Sequence, residues 1–348
     1  MTTLTTILVS LLFFSIIIMI HELGHFLIAR VVGIHAEEFS LGMGPRLFKI
    51  KGKETEYSLR VIPMGGYVRF LGEDEDSNDP RAFNNAKVWK RFLVILAGPI
   101  MNMILAVFLF SIAFLYFGIY ESDIPVIDSV IEGYPAEQVG LQANDRIIGI
   151  GDIDVANMEE SEAVEYIRNF INENGPNPFT MTVLRDVQKY QYEIIPGRDE
   201  ESGRWQVGFY FRAKIRKVGF FESIGMSFMQ TLRVMGLMYS ALKELISSGI
   251  GMGDVMGPIG IVTEIGRAAQ AGIQQLLNLG IIITINLGIM NLIPFPALDG
   301  GRLLLLAVEG VRRKPIDRNK EGFLHLIGFA LLIILMIIVT YKDILRIQ

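Results

Sequence analysis

Residues 16–29, IIIMIHELGHFLIA, place two histidines and a glutamate in an otherwise apolar run. His21 and His25 are four residues apart, so on a helix they share a face about one turn from each other. Two imidazole nitrogens so placed can meet one zinc ion at about 2.0–2.1 Å. Glu22 follows His21 directly, beside such a metal, where a general base must stand to take a proton from an activated water. Buried histidines bonded to neighbouring helices are the plain structural alternative, but three ionisable groups inside a span are costly without a function. A catalytic zinc takes three protein ligands and keeps one position open. The chain has four histidines and no cysteine, so thiolate sites and disulfides are excluded. His35 and His325 are open as third ligands, and Asp299 in NLGIMNLIPFPALDGGR, residues 286–302, is the better candidate. Pro294 and Pro296 break a helix there, and a bilayer permits such a break only where it lines a protein cavity or meets water. A plain turn at the membrane edge is the competing reading of Asp-Gly-Gly.

The elements that must hold these residues are membrane spans. Of the 348 residues 51% are hydrophobic, and the mean hydropathy of +0.41 exceeds that of an ordinary soluble domain. Four segments reach the roughly 20 apolar residues a bilayer requires: 4–28, 92–118, 273–298, which Asp299 closes, and 323–341. A cleaved signal peptide fits the first poorly, because MTTLTT carries no Lys or Arg and no small-residue cleavage site follows. Arg30, Arg46, Lys49, Lys51, Lys53, Lys87, Lys90 and Arg91 lie between the first two spans; Arg302, Arg312, Arg313, Lys314, Arg318 and Lys320 lie between the last two. By the positive-inside rule both loops face the cytoplasm, leaving the termini and the segment 119–272 outside. From Leu4 to His21 a helix rises about 26 Å at 1.5 Å per residue, which puts the histidines toward the cytoplasmic side. A net charge of −5, with no basic block interleaved with aromatics, excludes nucleic acid as a partner.

Residues 122–212 read as a soluble insert. VIDSVIEGYPAEQVGLQANDRIIGIGDIDV alternates apolar and polar residues between turn signals, 161–175 has helical spacing and stops at Gly175, and FTMTVLRD with YQYEIIPG forms an expected strand pair. The run PAEQVGLQANDRIIGIG resembles a PDZ domain of the bacterial, protease-associated kind, with Asn144 where such domains usually carry glycine; Asn tolerates the left-handed conformation. Residues 219–247 form an amphipathic stretch, expected to lie on the outer membrane surface, with a fifth span as the competing reading. The acidic run 72–79 reads as a solvated loop, with calcium binding as a weaker alternative.

Taken together, HELGH in the first span, NLIPFPALDGG in a later one and the inserted PDZ-like domain resemble the site-2 protease family of intramembrane zinc metalloproteases, closest to its bacterial regulator-of-sigma-E branch. The resemblance covers nearly the whole chain. It implies an α-helical polytopic membrane protein, four transmembrane helices plus a membrane-dipping β-hairpin, with an inserted α+β PDZ domain. The organisation it implies is 1–121 for the first two spans with the hairpin, 122–212 for the PDZ domain, 213–272 for the surface helix and linker, and 273–348 for the last two spans. It implies Zn2+ held by His21, His25 and Asp299, with Glu22 as the base, and substrate contacts at Asn286 and Asn291. The stretch PMGGYVRF, 63–70, resembles the family's hairpin that pairs with extended substrate, which marks Gly65, Gly66 and Tyr67. AGPIMN, 97–102, and MGPIGIV, 256–262, resemble further family segments; Arg302 stands where some members have histidine. The implied substrates are single-pass membrane proteins of the anti-sigma-factor or remnant-signal-peptide type, cut in the bacterial inner membrane, with the PDZ domain as a size filter. A zinc-dependent transporter and a PDZ-bearing adaptor are the other classes; the first does not need Glu22, and an intact H-E-x-x-H speaks against the second.

Overall fold

The computed structural model describes residues 3–347 apart from 74, 76, 200–202 and 249–255. Parts of the acidic run and of the expected 213–272 linker therefore lie outside the described residues. The chain divides into two compact units, 1–117 with 219–348, and 118–218.

The first unit begins with α1 (Thr3–Val32), β1 (Ala36–Lys51), β2 (Glu56–Phe70) and α2 (Val88–Phe117). The insert follows as β3 (Ile119–Val130), α3 (Pro135–Val139), β4 (Arg146–Ile150), β5 (Ile153–Asp154), α4 (Glu160–Asn174), β6 (Phe179–Arg185), β7 (Gln188–Ile194), β8 (Gly197–Arg198), β9 (Trp205–Gln206) and β10 (Phe209–Arg216). The first unit resumes with α5 (Phe220–Ser248), α6 (Pro258–Ala271), α7 (Ile273–Leu292), α8 (Asp299–Arg312) and α9 (Arg318–Ile347). Among the described residues four helices are long and apolar enough to cross a membrane: α1, α2, α7 and α9.

Close packing at glycine sets the bundle. A Cβ on Gly24 of α1 would fall 2.4 Å from the Ala97 carbonyl oxygen of α2. Phe13 and Leu109 meet at Gly280 of α7, while Gly288 lies against Pro99, Asn102 and Met103. Helix α2 therefore runs antiparallel to both α1 and α7.

One expectation requires correction. The third span ends at Leu292, not at 298, and Asp299 opens α8 instead of closing α7. Ile293 is extended, because a residue before proline is pushed out of the α region, and Pro294 and Pro296 offer no amide to continue the ladder. The broken segment then folds back against α8. A Cβ on Gly300 would fall 2.2 Å from the Ile293 carbonyl oxygen, and one on Gly301 2.4 Å from that of Phe295. Helix α5 lines a common apolar groove with α2, from Ile100 to Leu115 on one side and from Phe220 to Met235 on the other. Val234, Met235 and Met238 also pack on Ala106, Ile281 and Ile285. Ser223, Ser227 and Thr231 are buried, while Phe221, Phe228 and Met229 stay exposed.

Strands β1 and β2 fold on each other twice. Residues 36–41 run antiparallel to 66–70, from Ala36 against Phe70 to Leu41 against Gly66, and alongside 56–59 with residue numbers rising together. Residues 46–51 run antiparallel to 56–60. Glu38 is the polar centre of this sheet. Fully buried, it accepts hydrogen bonds from Ser58 Oγ at 2.6 Å, Arg60 Nη2 at 2.8 Å and Arg46 Nη2 at 2.7 Å. Burial alone would raise its pKa, and these donors outweigh it, holding the carboxyl down to about 2. A depressed folded pKa contributes stability that is complete above the unfolded value near 4.3 and fades as pH falls toward 2. Amide protection in residues 38–60, taken relative to the intrinsic exchange rate at each pH, is therefore expected to hold from pH 7 to about 5 and to fall below that. Glu38→Ala, which leaves Arg60 without a carboxylate partner while Arg46 keeps Glu56, is expected to loosen the sheet by about 3 kcal/mol at neutral pH. Unchanged exchange in that variant would remove Glu38 from this role.

In the insert the sheet order is β10-β3-β4-β6-β7, with β5 beside β4. Helix α4 places Ile167 and Ile171 on a core of Ile127, Ile147, Met181 and Ile194. The expected strand pair is β6 with β7, from Phe179 against Ile194 to Arg185 against Gln188. Asn144 has φ of 75°, the left-handed conformation anticipated for it.

Candidate metal centre

Helix α1 carries His21 and His25 one turn apart, both buried, with ring centroids 4.9 Å apart. Their Nε2 atoms stand 3.2 Å from each other. Asp299, at the first turn of α8, brings Oδ2 to 3.1 Å from His21 Nε2 and 3.5 Å from His25 Nε2. Among the described residues this is the one group of three or more His, Asp or Glu side chains whose ligand atoms converge so closely. Atoms held 2.0–2.1 Å from a tetrahedral zinc are about 3.3 Å apart, and the three observed edges straddle that value. Asp299 Oδ2 is buried without a hydrogen-bond donor, as suits an atom reserved for a cation.

The far side of each ring is anchored. His25 Nδ1 lies 2.8 Å from the Val94 carbonyl oxygen of α2. A carbonyl can only accept, so the proton sits on Nδ1 and Nε2 keeps its lone pair. His21 Nδ1 lies 3.2 Å from the carboxamide of Asn102, a fully buried residue whose Oδ1 has no donor. With that amide turned so that Oδ1 faces the ring, Oδ1 accepts from Nδ1–H and His21 Nε2 is freed in the same way. The two rings rest on Gly98, where a Cβ would fall 2.4 Å from His25 Nε2 and 2.8 Å from His21 Cε1. Asn102→Ala is expected to weaken zinc binding about 10- to 100-fold with the ligands intact, measured by competition with a chromogenic chelator. Wild-type affinity in that variant would show His21 needs no such anchor.

Glu22, half-buried, points toward the hairpin. The Val68 amide of β2 bonds its carboxylate, and a Cβ on Gly66 would fall 3.5 Å from Glu22 Cγ. The segment 66–70 pairs with β1 along one edge. Among the described residues no strand pairs with its other edge.

Comparison with known proteins matches residues 9–335 of the chain to peptidase family M50. The chain belongs to that family. M50 peptidases are the site-2 metalloproteases, and with four apolar spanning helices this one is an integral membrane protein. It is 37% identical over 338 residues, 97% of either chain, to a protein of Clostridium acetobutylicum predicted to be a zinc metalloprotease. It is 30% identical to the zinc metalloprotease RasP of Geobacillus kaustophilus, over 98% of either chain. It is 28% identical to the regulator of sigma-W protease RasP of Bacillus subtilis, again over 98% of either chain.

The other residues singled out in this M50 peptidase are placed differently. His35 lies in the turn after α1, its amide bonded to the Arg81 carbonyl, away from the cluster. His325 of α9 accepts the Ala297 amide on Nδ1 at 2.9 Å, bracing the broken segment that carries Asp299. Asn286 is exposed and Asn291 half-buried on α7, and among the described residues neither is hydrogen-bonded to the histidines or Asp299. The Tyr67 hydroxyl accepts from Arg60, whose guanidinium stacks 5.0 Å from its ring, so only the Tyr67 backbone is left for a partner. Arg302 donates to Glu73 at 2.5 Å, tying α8 to the loop after β2. Asn102 and Gly98 lie within the quoted AGPIMN segment, yet their roles were missed there. A polar Asn and a helical Gly four residues apart in an apolar span were the available signal.

Proposed function

We propose that this M50 peptidase hydrolyses peptide bonds within or near the membrane span of single-pass proteins. The carrying observation is the tetrahedral spacing of His21 Nε2, His25 Nε2 and Asp299 Oδ2 beside Glu22. Zinc, the metal in the relatives' names, suits this two-nitrogen, one-oxygen donor set and supplies Lewis acidity to the scissile carbonyl and to water. Glu22 takes the proton of the attacking water on its carboxylate and passes it to the departing amide nitrogen. The Val68 amide holds that carboxylate in place meanwhile. A helical substrate hides its carbonyls in intrahelical bonds, so it must unwind to be cut, and its backbone needs new partners. The open edge at Gly65, Gly66 and Tyr67 supplies them by strand addition beside Glu22. Asn286, exposed on α7, and Asn291, half-buried near its end, are the proposed substrate contacts, with Asn291 nearest in sequence to the Asp299 segment.

In the topology that follows from the basic loops, the termini and the insert lie outside the cytoplasmic membrane and the metal faces the cytoplasmic side. The insert, 122–212, screens out substrates that keep a large outer domain. The relative from Bacillus subtilis is named for regulating sigma-W, which supports membrane-anchored anti-sigma factors, with remnant signal peptides, as the substrate class.

Protein reconstituted in lipid with a single-pass substrate tests this reading. Cutting inside the span is expected, to stop with a zinc chelator and return with added zinc. Deleting 122–212 is expected to extend cutting to the same substrate with its outer domain intact. Zinc-independent cutting overturns the metal mechanism, and unchanged selectivity after deletion overturns the filter.

A further inference from the structure

Helices α2 and α8 line a groove of about 750 Å3 between the start of α2 and the end of α8. Its walls are apolar: Val88, Phe92 and Leu93 from α2, Leu306 from α8. Trp89 stands at the groove 54% exposed, and Arg313 and Lys314, both exposed, line it where α8 ends. The one acid in the lining, Glu309, is ion-paired with Arg91. Among the described residues Arg313 and Lys314 have no ion-pair partner. Arg313 caps α8 with φ of 54°, its amide bonded to the Glu309 carbonyl at 2.8 Å. The left-handed region costs a bulky residue backbone free energy that glycine would avoid.

We infer that this groove binds an anionic phospholipid of the cytoplasmic leaflet, its acyl chain against Phe92 and Leu306 and its headgroup phosphate on Arg313 and Lys314. Charge complementarity selects that occupant. An apolar trough ending in uncompensated cations fits an amphiphile with a negative head, whereas free phosphate would leave the trough unfilled. Lys87, Lys90 and Arg312 surround the same end of the bundle, where the positive-inside rule places the anionic leaflet. An exposed tryptophan is the usual residue at headgroup depth. Lys90 is spent elsewhere, donating to the Val32 carbonyl at 2.6 Å, so the task falls to the two residues at the end of α8.

The chain has two tryptophans, which gives a local reporter: in the full-length Trp205→Phe protein, fluorescence comes from Trp89. In phosphatidylcholine nanodiscs, brominated phosphatidylglycerol at 10 mol % is expected to quench Trp89 at least twofold more than brominated phosphatidylcholine at the same fraction. Arg313→Gly with Lys314→Ser, which keeps the left-handed turn, is expected to abolish the difference; Arg267→Ser, an exposed cation on α6, is expected to preserve it. Equal quenching by the two lipids overturns the assignment, and that comparison needs no charge variant to fold. A preference that survives the double substitution overturns it too, as does one that millimolar inorganic phosphate removes, which would mark a plain anion site. The readout is independent of zinc and of turnover.

Discussion

Glu22→Gln is expected to lower cleavage of a single-pass substrate by about 10³-fold or more while zinc remains bound. Amide replaces carboxylate with almost the same shape, so His21, His25 and Asp299 keep their places and the Val68 amide keeps an oxygen to bond. What is lost is the basic atom that accepts a proton from water and returns it to the leaving nitrogen. Positioned acid–base groups contribute about 10²- to 10⁴-fold, and here one group serves both halves of the reaction. Single-turnover cleavage in nanodiscs together with metal content by mass spectrometry gives the answer. Zinc retained with activity lost assigns the proton transfers to Glu22. Equal cutting by both proteins would remove Glu22 from the chemistry, and zinc lost along with activity would make it a structural prop of the metal.

Gly98→Ala is expected to strip the metal and, with it, activity by at least about 100-fold. One methyl group is ordinarily welcome in a helix, where Ala is favoured over Gly by about 1 kcal/mol. Here the added carbon would stand 2.4 Å from His25 Nε2, 2.5 Å from His25 Cε1 and 2.8 Å from His21 Cε1. Both rings must retreat, and neither can do so freely, because Val94 and Asn102 hold their Nδ1 atoms. Displacing reacting groups by about 1 Å costs on the order of 10²-fold in rate. The control is Gly322→Ala on α9, where a Cβ meets nothing within 4 Å. Stoichiometric zinc in the Gly98 variant would show that the rings approach α2 less closely than this.

Several features were legible from residues near one another in the chain. The four-residue spacing of His21 and His25 needs only a helix to become a face, and apolar length alone marks α1, α2, α7 and α9. Hydropathy alone carries the third span through 298, whereas Pro294 and Pro296, legible as a helix break, end the ladder at Leu292. Hydropathy counts side chains, and a missing amide is a property of the backbone. The amphipathic pattern of α5 likewise does not name its partners, and Val234, Met235 and Met238 pack on α2 and α7.

By itself, then, the sequence determined the spans, the helical pairing of the two histidines with Glu22 between them, and the inserted domain, because each rests on local period, length or turn chemistry. The sequence favoured Asp299 over His35 and His325 as third ligand, and only the tertiary structure shows how close packing of helices at Gly24, Gly98, Gly288 and Gly300 brings the aspartate to the rings. The tertiary structure also decided that Asn102 and the Val94 carbonyl orient the imidazoles and that the edge at Gly66 borders Glu22. Such contacts join positions up to hundreds of residues apart, and no period along the chain records them.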